Sequence, residues 1–596
     1  MPFFAAQHSL FRAYDIRGSR QHFATDFIQA LGHAFAHLYQ LQKNIDNNKS
    51  IIVIGYDVRC GSDTIAKTLT HILTECGLQV IQLGLITTPM MVFWAEQNQG
   101  HGIVVTASHS AKDILGIKWL FNHQSPSVED IQALYQQVIH QQLVVRSLDN
   151  SLLVESGLYQ HELQKMALHK DNESLKTAKN RPIIEQAYLS AEQVAATYTD
   201  TIVRVFKQLY PHTNEASINH TTDSQKLFSC KLDLVVVIDC MHGATSNIAQ
   251  PLFERFCQRV IMLNDTADGN FPSGNPDPTE PHRLKQLQQS VIMHQADIGI
   301  AFDGDGDRLM IVDNNGKVVT PDHLLYLLAQ VALTKRPKFL SNSQLSPQIL
   351  FDIKCCHHLP KLITELGAIP VMSRTGSSLM RLQMQRSAGQ IVFAGELSGH
   401  FIFNDGYFIL YDDAMYAALR LLHWLSYTAS SLNLTTNLAD IIYSLPVIVS
   451  TADHYLPRPK TALTDCSIVE QLTRLCLYLQ QLIKVTSTVT AHSNDQAVIN
   501  CAPAHCTCRA QKHSITLEEA KELLPIGTKL SCIDGVRLDF THGFGVIRQS
   551  NTSHNLTARF AGDSVEDLKD IQAKFAALCR PFDENLAALI MAIPPE

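Results

Sequence analysis

The feature that most constrains this chain is the run DGDGD at positions 303–307, which directly follows the apolar segment Ile298–Phe302. The apolar segment predicts a short buried strand, so three carboxylates would occupy alternate positions of one tight turn. That much negative charge at a strand end is costly unless a cation neutralises it, and oxygen ligands favour Mg²⁺ or Ca²⁺ over Zn²⁺. The turn therefore predicts a metal site with Asp303, Asp305 and Asp307 as ligands, and metal-assisted chemistry on a phosphate.

Two simpler interpretations of this turn compete with a catalytic metal site. A calcium loop of the EF-hand type also begins with alternating aspartates, but it requires Gly at its sixth position and Glu at its twelfth. Here those positions hold Arg308 and Asn314, so the EF-hand is excluded. A purely structural acidic turn remains an alternative, because Asp-Gly pairs are also ordinary turn residues.

Size and composition limit the classes to which the protein can belong. A length of 596 residues predicts about three to five domains, and 45% hydrophobic with 17% charged residues is a globular composition. The net charge of -8, with no block of Lys and Arg, argues against a nucleic-acid partner. The 14 Cys are scattered, residues 1–10 do not form a signal peptide, and no long apolar run predicts a membrane span. We therefore expect a cytoplasmic protein with reduced thiols.

The chain alternates short apolar runs with helical patterns in three successive rounds, which predicts three similar α/β domains with mixed sheets. A last part with closely spaced strands and one helix predicts an α+β domain, the four domains surrounding a central cleft. The predicted boundaries are 1–195, 196–318, 319–442 and 443–596. Insertions are expected near 142–190 and 484–514. The second is rich in Cys and His, and its residues favour surface thiols over a zinc site because their spacing fits no usual pair of ligands: Cys501, His505, Cys506, Cys508 and His513.

Three further motifs follow apolar runs. Ser108 lies among small and polar residues at a strand end, where α/β folds place reactive groups, although a helix N-cap is the simpler reading. Glu396, Ser398 and His400 lie on a glycine-flanked loop and suit sugar hydroxyls. The segment from Arg548 to Ser553 combines one guanidinium with hydroxyls and amides, which suits phosphate; a polar hairpin loop is the alternative.

These motifs, in this order, resemble the α-D-phosphohexomutase superfamily, and the bacterial phosphomannomutase/phosphoglucomutase branch most closely. The run FRAYDIRG at positions 11–18 is typical of that branch, and DGVR at 534–537, ahead of the phosphate loop, also fits. The resemblance covers nearly the whole chain apart from the two insertions. It implies a monomer that acts on a small-molecule phosphosugar, interconverting hexose 1-phosphate and hexose 6-phosphate with mannose or glucose as the hexose.

The resemblance also implies a mechanism and a set of residues. Ser108 would carry a phosphoryl group and, with the three aspartates, ligate Mg²⁺; glucose or mannose 1,6-bisphosphate would be the intermediate and activator. Lys118, His400 and Arg17 would join Ser108 in catalysis, the first two as candidates for proton transfer. The implied substrate-binding residues are Tyr14, Lys354, Ser377, Glu396, Leu397, Ser398, Gly399, His400, Arg548, Gln549, Ser550, Asn551 and Thr552.

The sequence departs from the family pattern at two places. Ser110 and Ala111 stand where the family has Asn and Pro, which could loosen the phosphoserine loop, and Ser377 replaces a substrate-contacting histidine. Two alternatives to the proposed activity stay open at this point. One is a phosphoglucosamine mutase, although Arg12–Gly18 and Leu397 differ from that branch. The other is a homologue that has lost turnover and has a regulatory or scaffold role.

Overall fold

The structure is a computed structural model that describes residues 4–40, 50–153, 189–210, 231–334, 345–431, 437–456, 468–488, 498–500, 514–550, 555–581 and 584–595. Its helices are α1 Thr25–Gln40, α2 Ser62–Glu75, α3 Thr88–Glu96, α4 Val128–Leu153, α5 Ala191–Leu209, α6 Ala249–Phe253, α7 Lys285–His294, α8 Pro321–Thr334, α9 Leu359–Glu365, α10 Ser377–Arg386, α11 Ala414–Ser431, α12 Leu438–Tyr443, α13 Ile468–Thr488, α14 Leu517–Leu523, α15 Val565–Cys579 and α16 Glu584–Met591; short 3-10 helices cover Ala5–Leu10 and Arg20–His22.

The strands in chain order are β1 Ile16–Ser19, β2 Ile51–Tyr56, β3 Gln79–Leu85, β4 Gly102–Val105, β5 Ile114–Leu120, β6 Leu232–Asp239, β7 Cys257–Leu263, β8 Ile298–Phe302, β9 Leu309–Asp313, β10 Gln348–Asp352, β11 Ile369–Ser373, β12 Ile391–Gly395, β13 Phe401–Phe403, β14 Val449–Ser450, β15 His454–Leu456, β16 Val498–Asn500, β17 Ser514–Thr516, β18 Lys529–Ser531, β19 Val536–Phe540, β20 Gly543–Gln549 and β21 Leu556–Gly562.

Three of the sheets share one topology. Their strand orders are β3-β2-β4-β5, β7-β6-β8-β9 and β11-β10-β12-β13, and β1 extends the first sheet beyond β5. In each of these sets of four strands, the first three along the chain are parallel and the fourth is antiparallel to the third. The C-terminal domain has a separate antiparallel sheet, β14-β21-β20-β19-β18, with β15 also paired to β21.

Local sequence explains why these elements form where they do. Every residue of β8 is buried, so its unbroken apolar run suits a central strand covered on both faces. Ser190 caps the N-terminus of helix α5. Its hydroxyl accepts from the backbone N–H of Gln193, and the Gln193 side chain accepts from the backbone N–H of Ser190, which together form a capping box. One apolar core runs through the three similar domains, and further cores fill the outer face of the first domain and the C-terminal domain.

The predicted fold class is confirmed, with three similar α/β domains followed by an α+β domain. The apolar segment Ile298–Phe302 forms the predicted buried strand, β8. The four boundaries stay a prediction. The zinc alternative at Cys501–His513 lies outside the described residues, and within the described part no helix has both the length and the apolar character to span a membrane.

Candidate functional site

The predicted motifs occupy the same connection in each of the three similar domains. The link between the third strand and the antiparallel fourth strand carries Ser108 in the first domain, the acidic turn 303–307 in the second and the loop 396–400 in the third. In the C-terminal domain the hairpin between β20 and β21 carries Arg548 and the residues after it. Asn551 and Thr552 lie outside the described residues.

Ser108 lies directly against the acidic turn. Its hydroxyl donates to Oδ2 of Asp303 at 2.8 Å, and Nδ1 of His109 is 3.3 Å from the same Oγ. The Ser108 backbone is in the left-handed region with φ 52°, which few residues other than glycine adopt. Strain of this kind persists only where the surroundings fix the backbone, and it is common at reactive residues.

Arg59 is the residue that fixes this backbone. Its guanidinium donates to the carbonyls of Ser108 at 2.6 Å, Ser110 at 2.5 Å and Ala111 at 2.6 Å, and it pairs with Asp57 at 3.1 Å. Both partners of the Arg59–Asp57 pair are buried. One buried arginine therefore fixes the serine loop, residues 106–111, through the backbone carbonyls of Ser108, Ser110 and Ala111.

Glycine is required in the acidic turn because the turn packs against its neighbours. A Cβ at Gly304 would lie 2.5 Å from the carbonyl oxygen of Ser108, and Gly306 has φ 78° with a Cβ position 2.9 Å from Thr245. Oδ1 of Asp303 accepts from the backbone N–H groups of residues 306, 307 and 308. These bonds close the turn and bring its carboxylates together.

The residues present fit a hard divalent cation. One oxygen from each of Asp303, Asp305 and Asp307 lies within 4.8 Å of the others, and all three carboxylates are buried. The Oδ1 atoms of Asp305 and Asp307 are buried without a hydrogen-bond partner. Burial, together with repulsion from the neighbouring carboxylates, raises the pKa of Asp303 and of Asp307. A bound cation would relieve both costs.

Cationic side chains surround this acidic turn. Nζ of Lys118 is 2.8 Å from Asp305 and 2.6 Å from Asp307, and although burial opposes its charge, these carboxylates raise the Lys118 pKa well above its ordinary value. Burial lowers the pKa of His400, but Asp307 and the ion pair to Asp412 at 2.7 Å outweigh it and raise that pKa to about 9. Both groups therefore carry a proton at neutral pH.

Arg17 and His109 border the serine loop. Arg17 lies in β1, is held by Asp15, and donates to the hydroxyl of Ser110 at 3.2 Å. His109 is partly buried, and burial together with the charge of Arg308 lowers its pKa well below the ordinary value. Its imidazole is therefore neutral at pH 7 and can accept a proton.

The loop of the third domain is organised around Glu396. One carboxylate oxygen accepts from the backbone N–H of Gly376 and the other accepts from the hydroxyl of Ser398 at 3.0 Å. Gly399 accepts from the backbone N–H of Leu309 at 3.0 Å, which ties this loop to the strand after the acidic turn. Burial raises the pKa of Glu396. Its carboxylate oxygens are hydrogen-bond acceptors, and the hydroxyls of a bound sugar can replace their present partners.

The C-terminal domain docks on the third domain through polar contacts at the cleft. Arg548 donates to Asp534 at 2.8 Å, and Asp534 also accepts from the backbone N–H of Thr375 at 3.3 Å. Nζ of Lys354 pairs with Asp453 at 2.7 Å. Two cations from different domains thus lie at the same wall, each oriented by a carboxylate.

All four domains line one cleft of about 980 Å³. Lining residues that were predicted from the sequence are Tyr14, Arg17, Ser108, Lys118, Asp307, Lys354, Ser377, Glu396, Leu397, Ser398, His400, Arg548 and Ser550. Asp303 and Asp305 lie buried beneath this surface. Gly399 and Gln549 are not among the lining residues, so a direct substrate contact for them stays a prediction.

Sequence reasoning did not assign Arg59, His109, Arg308, Asp453 or Asp534. Arg59 left only a weak signal, a charged residue shortly after an apolar strand. Asp534 was noted only as part of the run DGVR, without a role, and Asp453 left no signal, because the role of each comes from a partner elsewhere in the chain, 99 residues away for Asp453 and 14 for Asp534. Such pairings exist only after the domains have assembled.

Comparison with known proteins agrees with this geometry. Models of the phosphoglucomutase/phosphomannomutase α/β/α domains I, II and III match residues 8–143, 215–316 and 320–440, in that order. A phosphomannomutase/phosphoglucomutase from Pseudomonas syringae is 29% identical over 575 residues, which is 96% of this chain and 94% of the relative. A phosphoglucomutase from Neisseria gonorrhoeae is 26% identical over 571 residues and 96% of each chain.

A solved structure shows the same fold. A phosphoglucomutase/phosphomannomutase family protein from Burkholderia thailandensis superposes with a TM-score of 0.65 at 24% identity, covering 98% of this chain and 99% of that one. The domain models alone span well over half of the sequence, and their order matches the three sheets described above. The chain therefore belongs to the phosphoglucomutase/phosphomannomutase family and is a phosphohexomutase, an isomerase that transfers phosphate intramolecularly.

Proposed function

We propose that this chain interconverts the 1-phosphate and 6-phosphate of glucose or mannose, through a phosphoserine at Ser108 and a hexose 1,6-bisphosphate. The observation that carries the proposal is the contact of 2.8 Å between the Ser108 hydroxyl and Asp303, at the wall of a cleft that also holds Arg548. A hydroxyl beside a cation site supports phosphoryl transfer, and a guanidinium in the same cleft supports an anchor for the second phosphate.

The transfer balances as follows. The bond between phosphorus and Oγ of Ser108 breaks while the sugar hydroxyl forms a new bond to the same phosphorus, which gives the bisphosphate. The sugar hydroxyl loses its proton and Oγ gains one. When a phosphoryl group returns to Ser108, its hydroxyl loses a proton, and neutral His109, with Nδ1 3.3 Å from Oγ, suits acceptance of that proton. Lys118 and His400, which line the cleft, are the candidates for proton transfer at the sugar oxygens. The bisphosphate then reverses its orientation in the cleft, and its other phosphoryl group is transferred to Ser108.

Asp303, Asp305 and Asp307 would hold Mg²⁺, with an oxygen at Ser108 as a further ligand. When bound, the ion offsets negative charge on the transferring phosphoryl group. The side chains contribute independently of it. Arg59 holds the serine backbone, and Lys118 pairs with the carboxylates of Asp305 and Asp307 and orients them.

The sugar must bind in two opposite orientations, because both O1 and O6 have to reach Ser108. Glu396 and Ser398 suit this requirement, since a carboxylate and a hydroxyl can bond to vicinal hydroxyls from either direction. Arg548 and Lys354 supply positive charge from the far wall for whichever phosphate is not reacting. Ser377, at the start of α10, lines the same wall and replaces a histidine with a shorter polar group.

The decisive test is Ser108→Ala in the full chain. We expect at least a 10³-fold loss of kcat, because no other residue takes over the phosphoryl group. Intact mass should show a partly phosphorylated wild type and an unphosphorylated variant. Mutase turnover by Ser108→Ala at the wild-type rate would exclude the phosphoserine. A chelator should abolish activity and added Mg²⁺ should restore it.

The preferred hexose is determined by comparing kcat/KM on glucose 1-phosphate, mannose 1-phosphate and glucosamine 1-phosphate with a bisphosphate primer. Preference for glucosamine 1-phosphate would replace the proposed substrate and leave the phosphoserine step intact.

The monomeric state stays a prediction.

A further inference from the structure

We propose a second metal site, for Zn²⁺ or a similar transition ion, formed by His357, His358, His542 and Asp563. This histidine cluster shares no residue with the acidic turn. It lies where the third domain meets the C-terminal domain. His357 and His358 precede helix α9, while His542 is in the turn between β19 and β20 and Asp563 follows β21.

Three imidazoles converge on one carboxylate. Nε2 of His357 is 2.9 Å and Nε2 of His358 is 2.7 Å from Oδ1 of Asp563, and Nδ1 of His542 is 3.1 Å from Oδ2. Ligand atoms of His357, His358 and Asp563 all lie within 4.8 Å of one another. An ordinary surface ion pair joins one histidine to one carboxylate. Three histidines around a single aspartate therefore indicate a role other than an ion pair.

The chemistry of the cluster suits zinc more than magnesium. Zn²⁺ is bound by imidazole nitrogen and carboxylate oxygen at about 2.0–2.2 Å in a tetrahedron, so its ligand atoms stand roughly 3.3 Å apart. The separations of Nε2 of His357 and of His358 from Oδ1 of Asp563 need to open by only about half an ångström to admit the ion, and the exposed His542 must move closer to the other ligands to complete the tetrahedron.

The two domains contribute the ligands equally, so a bound ion would link them. The same interface contains Arg537, which donates to the carbonyl of Cys355 at 2.6 Å, and Arg559, which donates to the carbonyl of Lys354 at 2.6 Å. The loop that carries Lys354 is thus already fixed to the C-terminal sheet. An ion at the histidine cluster would strengthen this docking and keep Arg548 opposite the sugar loop.

The test measures zinc bound to the full-length protein by equilibrium dialysis and elemental analysis. Exposed thiols are first alkylated, and millimolar Mg²⁺ is present to occupy the acidic turn. We expect the wild type to bind one zinc more per chain than the double variant His358→Gln with His542→Gln. The single variant His542→Gln, whose side chain is 66% exposed and whose replacement leaves the fold intact, should weaken zinc binding at least tenfold.

The matched control is His71→Gln, another exposed histidine beside one carboxylate, Glu75 at 3.2 Å. It should bind zinc like the wild type. Co²⁺ provides an independent measurement, because a tetrahedral site gives visible d–d absorption that the double variant should lack. Equal zinc content in wild type and double variant, or an unchanged affinity in His542→Gln, would overturn the proposal. Because Ser108→Ala leaves this cluster untouched, failure here is distinguishable from failure of the proposed mutase reaction.

Discussion

Replacing Arg59 tests whether its hydrogen bonds to the serine loop fix the position of Ser108. In Arg59→Lys the ammonium keeps its charge beside Asp57, but it lacks the planar fork that reaches Ser108, Ser110 and Ala111 together. Arg59 also donates to the carbonyl of Ile114, and the lysine can retain Asp57 and one carbonyl, so about three bonds are lost. We expect the strained backbone of Ser108 to relax away from Asp303.

The magnitude follows from those contacts. A hydrogen bond from a charged group contributes about 1.5–3 kcal/mol, so losing three destabilises the first domain by at least about 4.5 kcal/mol. A shift of about 1 Å at the reacting oxygen is enough to lower kcat roughly 100-fold. KM should change little, because Arg548 and the sugar loop, which do not contact Arg59, hold the substrate.

The assay combines a coupled mutase assay with intact mass, both well below the melting temperature of the variant. We expect low kcat and a reduced phosphorylated fraction in Arg59→Lys. The control is Arg20→Lys, since Arg20 is exposed, pairs with Asp113 at 3.4 Å and should contribute less than about 0.5 kcal/mol. Wild-type kcat and phosphorylation in Arg59→Lys would refute the reasoning, as would an equal loss in Arg20→Lys.

Three further predictions concern separate parts of the molecule. In Gly304→Ala the new methyl group meets the Ser108 carbonyl at 2.5 Å, so kcat should fall at least about tenfold while the melting temperature of the C-terminal domain stays unchanged. In Arg548→Ala, KM for the phosphosugar should rise about tenfold or more, and an unchanged KM would exclude the anchor role. Burial lowers the pKa of His423 to about 4. Because the folded protein disfavours the charged imidazole, the free energy of unfolding is unaffected by this group above pH 6.5 and falls as the pH drops towards 4, by at most about 3 kcal/mol. His423→Phe, among Phe206 and Phe256, should reduce this acid sensitivity in thermal melts, and identical pH profiles would contradict the assignment.

The sequence predicts individual strands and reactive side chains well, for a physical reason. A buried strand such as Ile298–Phe302 must be continuously apolar, and the charged turn after it stands out against that run. What the sequence does not reveal is which groups meet. Lys118 pairs with Asp305 and Asp307 across about 190 residues, and nothing local to β5 indicates it. The same applies to Arg59, which donates to the backbone carbonyls of residues 108, 110, 111 and 114, groups that any sequence provides.

The three similar domains show how one backbone frame supplies different chemistry. The first strand of each sheet leads into an aspartate whose Oδ1 accepts the backbone N–H two residues later, with donors Arg59, Met241 and Lys354 at 3.0, 2.9 and 3.1 Å. This shared bond fixes the direction in which the chain leaves each sheet. In the first domain the residue so placed supports the nucleophile, and in the third it delivers a cation to the cleft. In the second it is a buried methionine, because there the adjacent turn itself carries the charge. A common turn geometry therefore constrains position, and the side chain at that position decides whether the domain contributes support, charge or packing to the cleft.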